Sequence, residues 1–304
     1  MKIIVTGGAG FIGSHLVDKL IEEGHKVVVI DNLSTGKKES INPRADFHNL
    51  DICDFEKNKS LYQNVDYVFH LAAIPRVPIS VEDPITTSKV NILGTINVFK
   101  AAIDKKVNRV IFASSSSVYG DQEKLPLRED MRPNPISPYG LQKSVGEQFA
   151  KLFTELYKVP IVSLRYFNVY GPRIDFDSDY SLVMGKFLRL KKENKPLTIF
   201  GDGEQTRGFC YIDNVVEANI KAAKSEKIKG GEIINIGSEK SYSINYLSKL
   251  IGGEVKYLPP RPGDPLHTKA DIRLAKNLLG WQPKISFEEG INKTTQWFLK
   301  NYGK

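Results

Sequence analysis

The sequence predicts a doubly wound parallel α/β sheet followed by a smaller α/β domain. Three observations predict it. Short, near-continuous apolar runs alternate with stretches of helical periodicity from Lys2 to Leu164, the pattern of strands covered on both faces by crossover helices. A glycine-rich turn joins the first strand to the first helix. After about residue 165 the texture changes: Gly and Pro cluster at Gly171-Pro172, Gly201-Asp202-Gly203 and Pro259 to Pro265, and the elements shorten. The 304 residues suit one large or two modest domains. The first domain spans 1–165, with parts of 208–238 returning to it; 166–304 forms most of the second.

Lys2 to Val5 reads as a buried strand and Thr6-Gly7-Gly8-Ala9-Gly10 as a turn. Phe11 to Glu23 carries Phe11, Ile12, Leu16, Leu20 and Ile21 at helical spacing, and Gly24 suits the helix C-terminus. Val27 to Ile30 is the second strand, closed by Asp31-Asn32. Strands at Val65 to Leu71, Val107 to Ala113 and Pro160 to Leu164 alternate with helices at Ile85 to Ile103 and Pro138 to Tyr157. Ile233 to Ile236 is a candidate to rejoin the main sheet.

Composition excludes several classes. With 41% hydrophobic and 26% charged residues, the chain is an ordinary globular protein rather than a disordered one. No apolar run reaches the roughly 18 residues of a membrane span. Met1-Lys2 leads straight into a strand, so no signal peptide is expected. Cys53 and Cys210 alone give neither a disulfide framework nor a cysteine zinc site, and a reducing cytoplasm is the expected compartment. The net charge of +8 is scattered over pairs such as Lys37-Lys38 and Lys191-Lys192. It reads as solvated surface, and no nucleic-acid-binding motif accompanies it. The five histidines lack metal-ligand spacing, and no metal is expected. His25 and His48 are expected to be exposed.

Gly7, Gly10 and Gly13 form G-x-x-G-x-x-G between a strand and a helix. The turn must be tight, its backbone must approach a pyrophosphate, and the helix must pack against the sheet. The helix N-terminus then offers N–H groups and the positive end of its dipole. Asp31 ends the second strand, where a carboxylate accepts hydrogen bonds from a ribose diol and repels a 2′-phosphate. These features predict a Rossmann-type fold that binds NAD rather than NADP. Tyr139 and Lys143 stand four apart after Pro138, which suits a helical first turn, so both share one face. A free phenol has a pKa of about 10; a nearby ammonium and a cationic nicotinamide are expected to lower it toward the range of a working base. Ser115 follows a strand, at the sheet's carboxyl edge, where it could share a substrate proton with Tyr139.

These residues resemble the extended short-chain dehydrogenase/reductases, the nucleotide-sugar epimerase/dehydratase group. The resemblance rests on Thr6 to Gly13, Asp51-Ile52, His70-Leu71-Ala72-Ala73, Ser114 to Gly120, Tyr139 to Lys143, Arg165-Tyr166-Phe167-Asn168 and Arg261-Pro262-Gly263-Asp264, and covers nearly the whole chain. It implies that Phe11, Ile12, Asn32, Asp51, Ile52, Leu71, Ala72 and Ala73 help hold NAD, with Asn91 and Tyr166 on its nicotinamide side. It implies Tyr139 as acid/base, Lys143 as its partner and Ser115 as the catalytic hydroxyl. Asn168, Arg207 and Arg261 would grip the diphosphate of a UDP-sugar, Asp264 its ribose, and Thr198 and Phe200 its uracil. The helices around 85–103 and 138–157 resemble those that pair in a homodimer.

The reaction is narrowed by Ser116 and Ser117, which stand where dehydratases and decarboxylases of this group carry acidic residues. Without that carboxyl group, 4-epimerisation remains, and the chain looks most like the UDP-glucose/UDP-galactose 4-epimerases. Thr268 falls at the expected size gate for the C2 substituent. It is small, so an N-acetyl group could also fit. Phe209 to Asn214 and Val77-Pro78 look like the UDP-N-acetylhexosamine 4-epimerases, whereas Asn168 and Asp175 argue against the glucuronate 4-epimerases. Two positions depart from the pattern: Gly208 replaces an expected Asp, and Arg76 stands where small residues are commoner. Another family activity (dehydratase, reductase or glucuronate epimerase) is the alternative, and a non-catalytic NAD-sensing protein is the alternative from another class.

Overall fold

The computed structural model describes residues 1–176, 182–260 and 266–302. Its centre is a seven-stranded, wholly parallel Rossmann-type sheet. The strands are β1 (Lys2–Thr6), β2 (Lys26–Ile30), β3 (Asp46–His48), β4 (Tyr67–His70), β5 (Arg109–Ser115), β6 (Ile161–Tyr166) and Ile233–Ile236. Their order is Ile233–Ile236, β6, β5, β4, β1, β2, β3. The chain runs outward from β1 through β3, then crosses back to place β4 on the other side of β1. That reversal opens a crevice beyond the strand ends, where such sheets bind ligands.

Residue-by-residue alternation separates two cores. Ile3, Val5 and Val29 pack on one face with Leu16, Val17 and Leu20 of α1 (Phe11–Glu22). Ile4, Val28 and Val68 pack on the other with Val98, Phe99 and Phe112. Both faces are buried, which is why the strands read as continuous apolar runs.

The sheet also recruits Ile233–Ile236, in register with β6 at Ser163 to Tyr166. The helix Ile212–Lys224 packs on α1 and β5. Trp281, fully buried, donates its indole N–H to the Asn214 carbonyl at 2.9 Å, tying the C-terminal segment to that helix. The remaining strands are short. The longest ladder outside the main sheet pairs Leu197–Phe200 with Val255–Leu258.

The expected helix from Ile85 to Ile103 is divided. Pro84–Ser88 and Thr95–Asp104 are α-helical, and Lys89–Gly94 between them is a wider π-helical turn, a feature frequent near functional sites. His25 and His48 are half-buried rather than exposed. Each lies at a strand edge beside a carboxylate, His25 3.8 Å from Glu23 and His48 3.2 Å from Asp46. Among the described residues no helix is long and apolar enough to cross a membrane.

Candidate active site

One cleft of about 1960 Å³ runs along the carboxyl ends of the strands. Single small-ligand pockets are typically about 300–1,000 Å³, so there is room for two ligands end to end. Gly7, Gly10 and Gly13 form its floor beside β1 and β2. A Cβ on Gly13 would stand 2.1 Å from the Gly7 carbonyl oxygen, and one on Gly7 2.6 Å from the Ala72 nitrogen. A Cβ on Gly10 would meet only the Gly7 oxygen and would otherwise occupy the cleft. α1 starts there with no side-chain cap and no acidic residue in its first turn. Its Phe11, Ile12 and Gly13 line the cleft. The result is a bare backbone cradle with a positive dipole end, which fits a dinucleotide pyrophosphate.

Asp31 is buried at the end of β2. Its carboxylate accepts the Ala9 N–H at 3.0 Å and the Leu33 N–H at 2.8 Å, so it also fastens the glycine turn. Asn32 donates to Asp51 at 3.2 Å, and Ile52 lies beside them. Leu71, Ala72 and Ala73 line the cleft opposite. His70 anchors that segment. Its Nδ1 pairs with the Thr6 hydroxyl at 2.8 Å and its Nε2 with the Thr95 hydroxyl at 3.0 Å. Burial, with Lys143 nearby, drives its pKa down to about 3, so it is a neutral clamp.

The helix Pro138–Tyr157 carries Tyr139 and Lys143. Ser137 caps it, accepting the Gly140 N–H at 3.1 Å, and Pro138 occupies the first turn. Gly140 is required by close approach: a Cβ there would lie 2.5 Å from the Ser117 carbonyl oxygen. The helix start therefore presses on the Ser115–Ser117 segment after β5. Tyr139, Lys143, Ser115, Ser116 and Ser117 all line the cleft.

The electrostatics differ from the expectation. The Lys143 ammonium donates to the Ala113 carbonyl at 2.8 Å and stands 5.9 Å from the Tyr139 ring centre. Burial lowers its pKa to about 8, opposed by Glu147 one turn along. Burial pushes the Tyr139 phenol up rather than down; the Ser115 hydroxyl and the Arg76 guanidinium oppose the rise. Cationic help for the phenol therefore comes also from outside its own helix, from Arg76, while one of the lysine's N–H groups is given to a backbone carbonyl.

Tyr166, paired in register with Ser115 on the neighbouring strand, donates its hydroxyl to Asn219 at 2.7 Å and lines the cleft. At the far end, Asn168 donates to the Thr268 hydroxyl at 3.2 Å and the Gly208 carbonyl at 3.4 Å. Thr198, Phe200 and Arg207 line the same end. Arg207 donates to the Thr206 and Leu266 carbonyls, and Lys186 stands 5.0 Å over the Phe200 ring. Arg261 and Asp264 lie outside the described residues.

Asn91 is the correction. It is fully buried and does not line the cleft. Its side chain accepts the Ile74 N–H and donates to the Ile74 carbonyl and to Gln142, so its amide is spent on holding the Ile74 segment to the Tyr139 helix. Among the cleft residues that sequence did not single out as ligands are Arg76, Arg173 and Lys186. Arg76 was marked only as an oddity, and the other two gave no local signal.

Comparison with known proteins follows the geometry. The model of the NAD dependent epimerase/dehydratase family matches residues 3–237. A putative UDP-glucose 4-epimerase of Methanocaldococcus jannaschii is 42% identical over 307 residues, covering 98% of this chain and 99% of its own. The UDP-glucose 4-epimerase of Thermotoga maritima, solved with UDP-glucose, superposes with a TM-score of 0.95 at 41% identity over 99% of both chains. The UDP-N-acetylglucosamine 4-epimerase of Methanobrevibacter ruminantium, solved with UDP-N-acetylmuramic acid, gives 0.94 at 40% identity over 99% of this chain and 98% of that one. The glycine cradle, the Tyr139 helix and this match over nearly the whole length lead to one conclusion: the chain belongs to the NAD dependent epimerase/dehydratase family, and NAD is its cofactor.

Proposed function

We propose that the protein is a UDP-hexose 4-epimerase that interconverts UDP-glucose and UDP-galactose. The observation that carries this reading is a single cleft. It has a dinucleotide cradle at one end, Ser115, Tyr139 and Lys143 in the middle, and Asn168, Thr198, Phe200 and Arg207 at the other. The segment 1–165, with parts of 208–238 returning to it, holds the cofactor, and most of 166–304 holds the nucleotide sugar.

Held by the Gly7 to Gly13 cradle and Asp31, NAD would supply an acceptor and donor for the C4 hydride. Tyr139 as phenolate removes the 4-hydroxyl proton, with Ser115 sharing it, and gives it back when C4 is reduced on its other face. Lys143 keeps a positive charge beside the Tyr139 ring. Between the two half-reactions the 4-keto sugar must turn over, so the chain must grip the diphosphate and leave the hexose loose. Arg207 suits the grip, since a planar guanidinium matches phosphate oxygens. Ser116 and Ser117 offer hydroxyls where elimination or decarboxylation would call for a carboxyl group.

A second reading, UDP-N-acetylglucosamine/UDP-N-acetylgalactosamine interconversion, is favoured by Thr268. It is small, and its hydroxyl is drawn to Asn168. Incubating the NAD-loaded protein with UDP-galactose and, separately, with UDP-N-acetylgalactosamine, then resolving products by chromatography, tests both. Tyr139→Phe is expected to abolish interconversion and keep NAD bound; wild-type turnover in that variant refutes the assignment. A homodimer is proposed through a helix stripe bearing exposed Leu141, Leu152 and Leu156, with Ile85 and Leu93 alongside; light scattering checks it.

A further inference from the structure

We propose that Arg76 is a positioning residue that holds negative charge on Tyr139, and that Asp175 sets how strongly it does so. The inference rests on the proposed acid/base role of Tyr139.

Arg76 follows β4 with φ of 90°, a left-handed backbone that a side-chain-bearing residue adopts only when its surroundings enforce it. Its surroundings are the catalytic helix. The Arg76 carbonyl accepts the Ser80 N–H at 3.3 Å, and the Ser80 hydroxyl accepts the Tyr139 N–H at 3.0 Å. One serine therefore ties the backbone bearing the guanidinium to the backbone bearing the phenol. Both side chains line the same cleft. Arg76 keeps only 20% of its side chain exposed and faces Asp175 at 3.8 Å.

Among the described residues, the charged and titratable groups around the phenol come from several elements. Ser115 comes from the end of β5. Lys143 and, behind it, Glu147 come from the phenol's own helix. Arg76 comes from the segment after β4, and Asp175 from the segment after β6. Neutral His70 closes β4 beside Lys143. Arg76 and Tyr139 interact mutually: the guanidinium opposes the rise in the phenol's pKa, and the phenolate supports the guanidinium's charge. Lys143 is occupied with the Ala113 carbonyl. Arg76 therefore adds, from another segment of the chain, a second cation to the one that the Tyr-x-x-x-Lys spacing assigns to lysine.

The sign follows. A cation favours the phenolate, so removing Arg76 raises the phenol's pKa. Removing the Asp175 charge unmasks Arg76 and lowers it. An opposite charge a few ångströms away is worth roughly one to three pKa units. The test is the pH dependence of turnover by NAD-loaded Arg76→Ala, Arg76→Lys and Asp175→Asn. Phenolate absorbance is titrated alongside, as the difference from Tyr139→Phe. Arg76→Ala is expected to move the acidic limb and the phenolate titration up by about one unit, Asp175→Asn to move both down, and Arg76→Lys to stay near wild type. A limb and titration unmoved in Arg76→Ala, or moved the same way in Arg76→Ala and Asp175→Asn, overturns the inference. Uniform loss of turnover at every pH also overturns it, since Arg76 would then serve the substrate or the fold. If Arg76→Ala does not fold, the Asp175→Asn shift decides. An active Tyr139→Phe instead overturns the underlying acid/base assignment, so the two failures are distinct.

Discussion

Glu147→Gln tests the charge buried behind the site. Glu147 lies one helical turn beyond Lys143, with its side chain 3% exposed, and faces Arg165, 1% exposed. The pair is bidentate, with Arg165 Nε and NH2 donating to the two carboxylate oxygens at 2.8 and 2.7 Å. The Ser114 hydroxyl donates to the same carboxylate at 2.5 Å. The guanidinium lies 4.4 Å from the Tyr119 ring centre. Removing one partner of a buried pair leaves an uncompensated charge and costs about 3–5 kcal/mol. With an unfolding entropy of roughly 2.1 cal/mol/K per residue, that loss lowers the midpoint of a chain this long by about 5–8 °C. Differential scanning calorimetry measures it. Replacing both residues, as Glu147→Leu with Arg165→Met, is expected to be less damaging than Glu147→Gln, because well-packed apolar substitutes remove the desolvation penalty. A midpoint within 1 °C of wild type in Glu147→Gln refutes the reasoning, since the pair would then be worth no more than a surface ion pair.

Gly13→Ala puts a Cβ 2.1 Å from the Gly7 carbonyl oxygen and 2.9 Å from Gly8 Cα, so the turn must open. The purified variant is expected to lose its bound NAD, measured by releasing and quantifying nucleotide, and full retention contradicts the cradle assignment. Lys143 has its pKa lowered to about 8 by burial; its charge is present below that pH and lost above it. Turnover is expected to fall on the alkaline side with a midpoint near 8, and Lys143→Met to be slower and to lack that limb. Persistence of the limb in Lys143→Met assigns it to another group.

Local chemistry was the readable part of this chain. The strand, glycine turn and first helix declare themselves because the turn, its cap and the apolar spacing lie within a couple of dozen residues. Tyr139 and Lys143 declare their shared face because helical geometry fixes it. What depends on distant partners stayed hidden. Sequence could state that an ammonium lies near a phenol, but not that the Ala113 carbonyl, 30 positions earlier, claims the ammonium. Asn91 carried no mark of its three bonds to Ile74 and Gln142. Arg165 and Glu147 are on different elements, and neither announces that the other neutralises it. Arg76 obeys no spacing rule at all: its place comes from a positive-φ backbone at the start of the helix Val77–Glu82 that follows β4. Gly208, the other departure from the family pattern, has a structural reading. A Cβ there would crowd the Thr268 and Ser238 carbonyl oxygens at 3.3 and 3.4 Å, so the strand pair beneath Thr268 favours glycine.

The charges across the site form a row: Arg165, Glu147, Lys143, Tyr139, Arg76, Asp175. Arg165 and Glu147 are fixed by their bidentate pair, and Glu147 supports Lys143. At the other end Asp175 supports Arg76. Signs alternate along the row, positive, negative, positive, then the phenol, then positive and negative. Tyr139 thus occupies the one position where alternation calls for a negative charge and the side chain is neutral at rest. Burial resists that charge and pushes the phenol up, while the Ser115 hydroxyl and the Arg76 guanidinium favour it. Burial leaves the phenol harder to ionise than one in water, but the same low dielectric strengthens the pull of any positive charge brought close to it. On the proposed acid/base role, Tyr139 is a proton acceptor that is weak until its cofactor is in place, and the residues that set the balance come from four separate segments of the chain.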